Sequence, residues 1–272
     1  MNQFPIEYLL YFYLYICLAL LLFNLLYIAG GRVRGRRRTR AAARWKREIG
    51  EELFPPKHRE SPGVRHQKLL KKRLCRINQL IAYSAALEDW EQREEARVRD
   101  YLAASSASFQ QLASWYGRRD NMERAYFAWF SARFRPCRAE QKVYRQILIG
   151  YLEDSTVYCR ENVLQALYAL GDAEAVEDAF QLMNDRQIFH HAKLLADGLL
   201  KFAGDREALG RRLWAHRRDW DSALTTAVAQ FITSSSGAFQ EEFFPVLQDP
   251  ATDRELRMAL LRYFRRYPYE PA

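Results

Sequence analysis

Between Tyr8 and Gly31 the chain carries no charged residue, and the run reads YLLYFYLYICLALLLFNLLYIAGG. As a helix rising about 1.5 Å per residue it covers the roughly 30 Å hydrocarbon core of a bilayer. A cleaved signal peptide is the competing reading. It needs a positively charged leader, a shorter apolar core and a small-residue cleavage site. The leader here is MNQFPIE, with Glu7 and no Lys or Arg, and the run is followed by Gly-Arg-Val-Arg-Gly-Arg-Arg-Arg, a stop-transfer flank. The sequence therefore predicts a single transmembrane anchor over residues 1–31. Because Lys and Arg are retained on the cytoplasmic side, the N-terminus is expected outside the cell membrane and the C-terminal body inside it.

The apolar run also carries polar side chains. Tyr8, Tyr11, Tyr13 and Tyr15 crowd its outer half and Asn24 lies toward the inner end. An interfacial aromatic belt accounts for Tyr8, whereas Tyr15 sits about two turns deeper. Tyr8, Tyr11 and Tyr15 share one face by their 3–4 spacing. Alongside the belt reading, Tyr11, Tyr15 and Asn24 are candidate contacts with a neighbouring helix, which satisfies polar groups in hydrocarbon better than lipid does.

The formal charge of +9 raises the question of nucleic acid, and its distribution answers it. From Arg32 to Arg76 there are 17 Lys/Arg against 4 Asp/Glu, while residues 77–272 hold 25 basic and 28 acidic residues, a balance of −3. The basic character belongs to a collar just beyond the apolar run: Arg32, Arg34, Arg36, Arg37, Arg38 and Arg40. Such residues attract anionic lipid headgroups, each by about 1 kcal/mol. A nucleic-acid partner is not expected. Residues 41–53 fit a short amphipathic helix with Trp45, Ile49 and Leu53 on one face. Three prolines and a glycine within 54–63 then end any helix. Residues 32–63 thus read as a basic juxtamembrane segment and linker.

After Gly63 apolar residues recur at 3–4 spacing, with no strand-like alternation, so the fold class is all-α. A long helix is predicted over 64–90, with Leu69, Leu70, Leu74, Ile77, Ile81 and Leu87 as its apolar stripe; residues 64–118 read as an N-terminal helical cap. Farther on, Gly171, Gly204 and Gly237 fall 33 residues apart, each after a predicted helix, and one step back lands on Arg138. Val163, Ala196 and Ala229 then align, as do Ala166, Leu199 and Ile232, and Phe180, Leu213 and Val246. Each unit reads as helix, glycine-centred turn, helix. The glycine suits a left-handed C-cap, and a following Asp can cap the next helix.

ENVLQALYALGDAEAVEDAFQLM, residues 161–183, resembles a HEAT-repeat unit, and the likeness extends over 119–272 as about four units of roughly 33 residues. The third unit departs from it with Ser-Ser-Ser-Gly and no Asp, and the last stops after one helix. The resemblance implies an α-α hairpin solenoid whose surface binds another macromolecule. HEAT-like bilin lyases and DNA glycosylases make an enzyme the alternative, and a nucleic-acid binder acting through the basic segment is a third.

No nucleophile elbow, zinc-protease helix, phosphate loop or dinucleotide fingerprint occurs. His190 and His191 point about 100° apart on a helix and make a poor ligand pair. Glu174, Glu177 and Asp178 follow a helix start, where carboxylates favour the dipole. Cys17, Cys75, Cys137 and Cys159 form no cluster. The chain is therefore expected to act without cofactor, metal, small-molecule substrate or catalytic residue, as a scaffold or accessory subunit binding a protein at the membrane. Arg211, Trp214, Arg218, Tyr263 and Arg266 are the candidate contacts on the body, as arginine and large aromatics dominate interface energies.

Overall fold

The computed structural model describes residues 6–55, 62–138 and 141–270, apart from the side chains at 6, 7, 9, 29, 30, 33 and 34. Most of the linker read over 54–63, and the side chain of Arg34, lie outside the described residues. Those described form thirteen α-helices and no strand.

Helix α1, Ile6–Leu53, is 48 residues long and spans about 72 Å. Its segment Leu10–Ile28 is long and apolar enough to cross a membrane, with no part buried against the rest of the chain. The short amphipathic helix expected over 41–53 is not separate: it is the last quarter of α1. Continuity has a simple cause. Gly30, Gly31 and Gly35 cost a helix about 1 kcal/mol each, the flanking Arg and Ala residues are strong helix formers, and no proline intervenes before Pro55.

The far end of α1 is part of the core. Trp45, Ile49 and Leu53 are buried there, as their spacing predicts. The Trp45 ring packs edge-on against Tyr83 at 5.2 Å, and its Nε1 donates to Gln79 Oε1 at 3.1 Å. Trp90 Nε1 donates to the Lys46 carbonyl at 2.8 Å, and the Lys46 ammonium meets Asp89 at 2.5 Å. Arg73 forks onto Glu48 at 2.8 and 3.0 Å. At the last turn, buried Glu52 accepts from the Gly63 amide at 3.0 Å, which ties the two ends of the linker together.

The single helix expected over 64–90 is corrected. Helix α2 covers Val64–Leu74 and α3 covers Ile77–Ala104, with extended backbone at Arg76 between them. The carbonyl of Leu74, freed by the break, accepts from the buried Tyr116 hydroxyl at 2.6 Å. Of the predicted stripe, Leu70, Leu74 and Leu87 are buried, and Leu69, Ile77 and Ile81 half-buried. Helix α3 runs past the predicted end and is interrupted at Glu94.

The remaining helices are α4 Ser106–Tyr116, α5 Asn121–Phe134, α6 Lys142–Gly150, α7 Val157–Leu170, α8 Ala173–Asp185, α9 Ala192–Leu199, α10 Arg206–Ala215, α11 Ser222–Ser235, α12 Gln240–Gln248 and α13 Arg254–Arg266. Each odd-numbered helix packs on the next odd-numbered one from α1 to α13, and the even-numbered ones do the same from α2 to α10. The core fills the space between these two rows. The aligned trios place alike: Val163, Ala196, Ala229, Ala166, Leu199 and Ile232 are all buried, as are Phe180 and Leu213, with Val246 half-buried.

The glycines divide by role. Gly171 alone caps its helix in the left-handed region, at φ 72°. Gly204 and Gly237 do not, and helix α5 ends at Phe134 with Arg135, not at Arg138, as its left-handed cap. What Gly204 provides is proximity: a Cβ there would lie 2.7 Å from the Gly171 carbonyl oxygen, beside the 3.0 Å bond from the Ala203 amide to the Tyr168 carbonyl. A Cβ on Gly237 would strike the Tyr267 ring at 2.8 Å. Gly204→Ala should therefore lower stability by about 1–3 kcal/mol by overpacking, read as a shifted urea midpoint with unchanged slope. The predicted Asp caps are present: Asp172 caps α8 and Asp205 caps α10.

Candidate partner-binding surfaces

Arg32, Arg36, Arg37, Arg38 and Arg40 are all exposed along α1. Among the described side chains of the collar, Arg38 bonds to the body, donating to Asn78 Oδ1 at 3.1 Å. Nearer the N-terminus Tyr11 and Tyr15 are 65% and 71% exposed. Asn24 donates its amide to the Leu20 carbonyl at 3.0 Å, within its own helix. All three are exposed, on a stretch of α1 that no other described residue covers.

On the body, two of the five candidate contacts are corrected. Trp214 is 3% exposed and Tyr263 wholly buried, so both belong to the core. Phe243 is their common neighbour, with ring centroids at 4.5 Å from Trp214 and 4.6 Å from Tyr263. The Tyr263 hydroxyl accepts from the Phe239 amide at 2.8 Å. Both aromatics fill the space between α10, α12 and α13. Arg211 is exposed but bridges Glu207 at 3.0 Å and Glu242 at 3.1 Å, joining α10 to α12. Arg266 donates to the Thr233 carbonyl at 3.2 Å and lies over the Tyr267 ring. Arg218 is exposed with no ion pair among the described residues, at the rim of a groove of about 600 Å³ that also contains Trp220, Glu241 and Asp249.

The two adjacent histidines part company. His191 caps α9, its Nδ1 accepting from the Lys193 amide at 3.2 Å. His190 is buried with Nε2 3.3 Å from Glu161. The acidic residues near the start of α8 tie neighbouring helices together. Arg145 of α6 pairs with Asp172 and lies 3.5 Å from Glu174, and Gln146 donates to Asp178 at 2.9 Å. Glu177 receives Arg212 from α10 and His216 from its C-cap. Sequence reasoning missed the buried Arg145 and Arg160; nothing in their spacing distinguishes them from surface arginines. Arg160 donates to the carbonyls of Ser155, at 3.0 Å, and Phe189.

The bond from His190, assisted by Gln165 and opposed by partial burial, holds the Glu161 carboxyl below the usual carboxylate range. A carboxyl lowered on folding stabilises the protein above its unfolded value, and this contribution is lost as pH falls through the folded one. Glu161→Gln should therefore flatten the acid limb of a melting-temperature profile below about pH 4.5.

Burial raises the thiol of Cys137 to about 12, and it raises Cys75 and Cys159 as well. Thiolates are disfavoured at all three, so none is a poised nucleophile. Among the described residues, no group of three or more His, Cys, Asp or Glu side chains is placed to hold a metal. Two further recesses are grooves between neighbouring helices of the odd-numbered row. One of about 500 Å³ crosses α9, α11 and α13 and includes Lys193, Asp197, Gln230 and Arg262. Another of about 830 Å³, between α3, α5 and α7, includes Glu95, Arg99, Arg133 and Arg138. No protein-family model, curated protein or solved structure matches the chain.

Proposed function

We propose that the chain is a membrane-anchored scaffold whose body is a HEAT-like α-α solenoid, lies on the cytoplasmic side and binds a protein partner of a membrane or envelope-building complex, such as a polysaccharide synthase. The observation that carries this reading is α1. One uninterrupted helix supplies both the apolar segment Leu10–Ile28 and the core residues Trp45, Ile49 and Leu53. Such a helix joins the body rigidly to the anchor and suits a protein that must present its surface at a set distance from a bilayer. The two rows of helices supply that surface, with Arg218 and the inter-helix grooves as its accessible polar features. The outward Tyr11 and Tyr15 add a second place for the same partner to touch.

Two measurements test the reading. A phosphatase reporter active only outside the cytoplasm, fused after residue 62, should be silent; strong activity would reverse the orientation. Co-purification of the full chain from detergent extract, with mass spectrometry of what accompanies it, should return a stoichiometric membrane protein, and Arg218→Glu should weaken its recovery. Glu174→Gln should leave both recovery and cellular function intact. Loss of function by that variant, with folding and complex formation normal, would replace the scaffold by an enzyme.

A further inference from the structure

Five cations without a carboxylate partner among the described residues meet where α1 passes the α2–α3 turn. Arg37, Arg38 and Arg44 come from α1, Lys72 from the last helical turn of α2 and Arg76 from the junction before α3. Two adjoining cavities of about 310 and 210 Å³ lie between these segments and share Arg76 and Gln79 as walls. No carboxylate lines either one; Arg73, at the edge of the smaller, is neutralised by Glu48.

The uncharged walls are turned the same way. Gln79 Oε1 is engaged by the Trp45 indole and Asn78 Oδ1 by Arg38, which leaves the two amide nitrogens as the polar groups these side chains can still offer. A recess walled by guanidinium, ammonium and amide donors is complementary to a multiply charged oxyanion, since charge-assisted and forked bonds to phosphate are the strongest such a set can make. Without an anion, the same cations repel one another.

Position narrows the ligand, given the membrane-anchor reading on which this step rests. Arg37 and Arg38 lie nine and ten residues beyond Ile28, about 14–15 Å along α1, whereas the headgroup layer of one leaflet is about 5–7 Å thick. Arg32, about 6 Å beyond Ile28, therefore stands at the phosphates of ordinary lipids, and the cleft stands above it. Helical side chains lean toward the N-terminus, here toward the bilayer. We propose that the cleft is a discrete site for a lipid headgroup bearing clustered phosphates that project beyond the phosphate plane.

The test uses the full-length chain in neutral detergent, titrated with phosphatidylinositol bisphosphate or, at matched total charge, with phosphatidylglycerol, and bound lipid is counted by native mass spectrometry. The bisphosphate lipid should be retained in preference. Replacing Lys72 and Arg76 together by Gln, off α1, should weaken its retention about thirtyfold, while Arg32→Gln with Arg36→Gln should leave the preference intact. Equal retention of both lipids, or an unaffected Lys72/Arg76 variant with unchanged circular dichroism, would overturn the site. Soluble inositol trisphosphate bound as tightly as the lipid would overturn the lipid assignment. Release of the chain from membranes by alkaline carbonate would sink the anchor reading instead, so the two failures are distinguishable.

Discussion

A fragment of residues 41–272 should fold cooperatively, and one of residues 64–272 should not. The sequence alone places a domain boundary at the proline-rich linker, which makes residue 64 the natural start. The structure moves the core across that boundary. Cutting at 64 strips Trp45, Ile49 and Leu53 from the interior and leaves Tyr83 uncovered along α3. Each buried side chain of this size contributes about 1.5–3 kcal/mol, and the Trp90 and Arg73 partners on α1 go with them. The sum for the three side chains, about 5–9 kcal/mol, is comparable to the whole stability of a typical domain, about 5–15 kcal/mol. Size-exclusion chromatography and thermal melts followed by circular dichroism decide it. Identical cooperative melts for the two fragments would mean that the end of α1 is decoration.

Leu167→Asp should be nearly as damaging. Leu167 is fully buried on α7, which packs along α5 on one side and α9 on the other. Leu167→Ala leaves a cavity and costs about 2–5 kcal/mol; the aspartate adds a carboxylate with no cation to meet it, which puts the loss beyond about 4 kcal/mol. Urea titration of the pair separates the two terms, Ala measuring the cavity and Asp the charge. An aspartate variant that melts with the parent would take Leu167 out of the core.

What the sequence makes legible here is periodic and local. The apolar run is visible because a helix able to cross a bilayer must be apolar over an unbroken length, and the all-α class because 3–4 spacing repeats through the body. Trp45, Ile49 and Leu53 share a face for the same reason, and they are buried together. The aligned trios in α7, α9 and α11 also land in the interior, although the helices start at irregular intervals, residues 121, 157, 192, 222 and 254 for the odd row from α5. What stays hidden depends on partners distant in the chain. The break after Leu74 is sealed by Tyr116, 42 residues later. Gly204 is needed because Gly171 lies against it, which no local pattern announces. Trp214 and Tyr263 sit among arginines on short helices, and an aromatic in such company looks like an interface anchor until Phe243 is found beneath both. The basic cleft was half visible as a collar; Lys72 and Arg76, its other half, belong to a stretch that reads as a solvated helix face.

Because α1 never breaks between its apolar end and its packed end, residue count acts as an angular gauge. Each position turns the helix by about 100° and advances it about 1.5 Å. With Leu10–Ile28 held in a bilayer, one residue added between Gly31 and Ala41 would rotate the whole body about a quarter turn relative to any neighbour gripping Tyr11 and Tyr15. Four added residues would nearly restore the heading while lifting the body about 6 Å. In a chain anchored this way the spacer between bilayer and body encodes a bearing as well as a height, and a loop of the same length would encode neither.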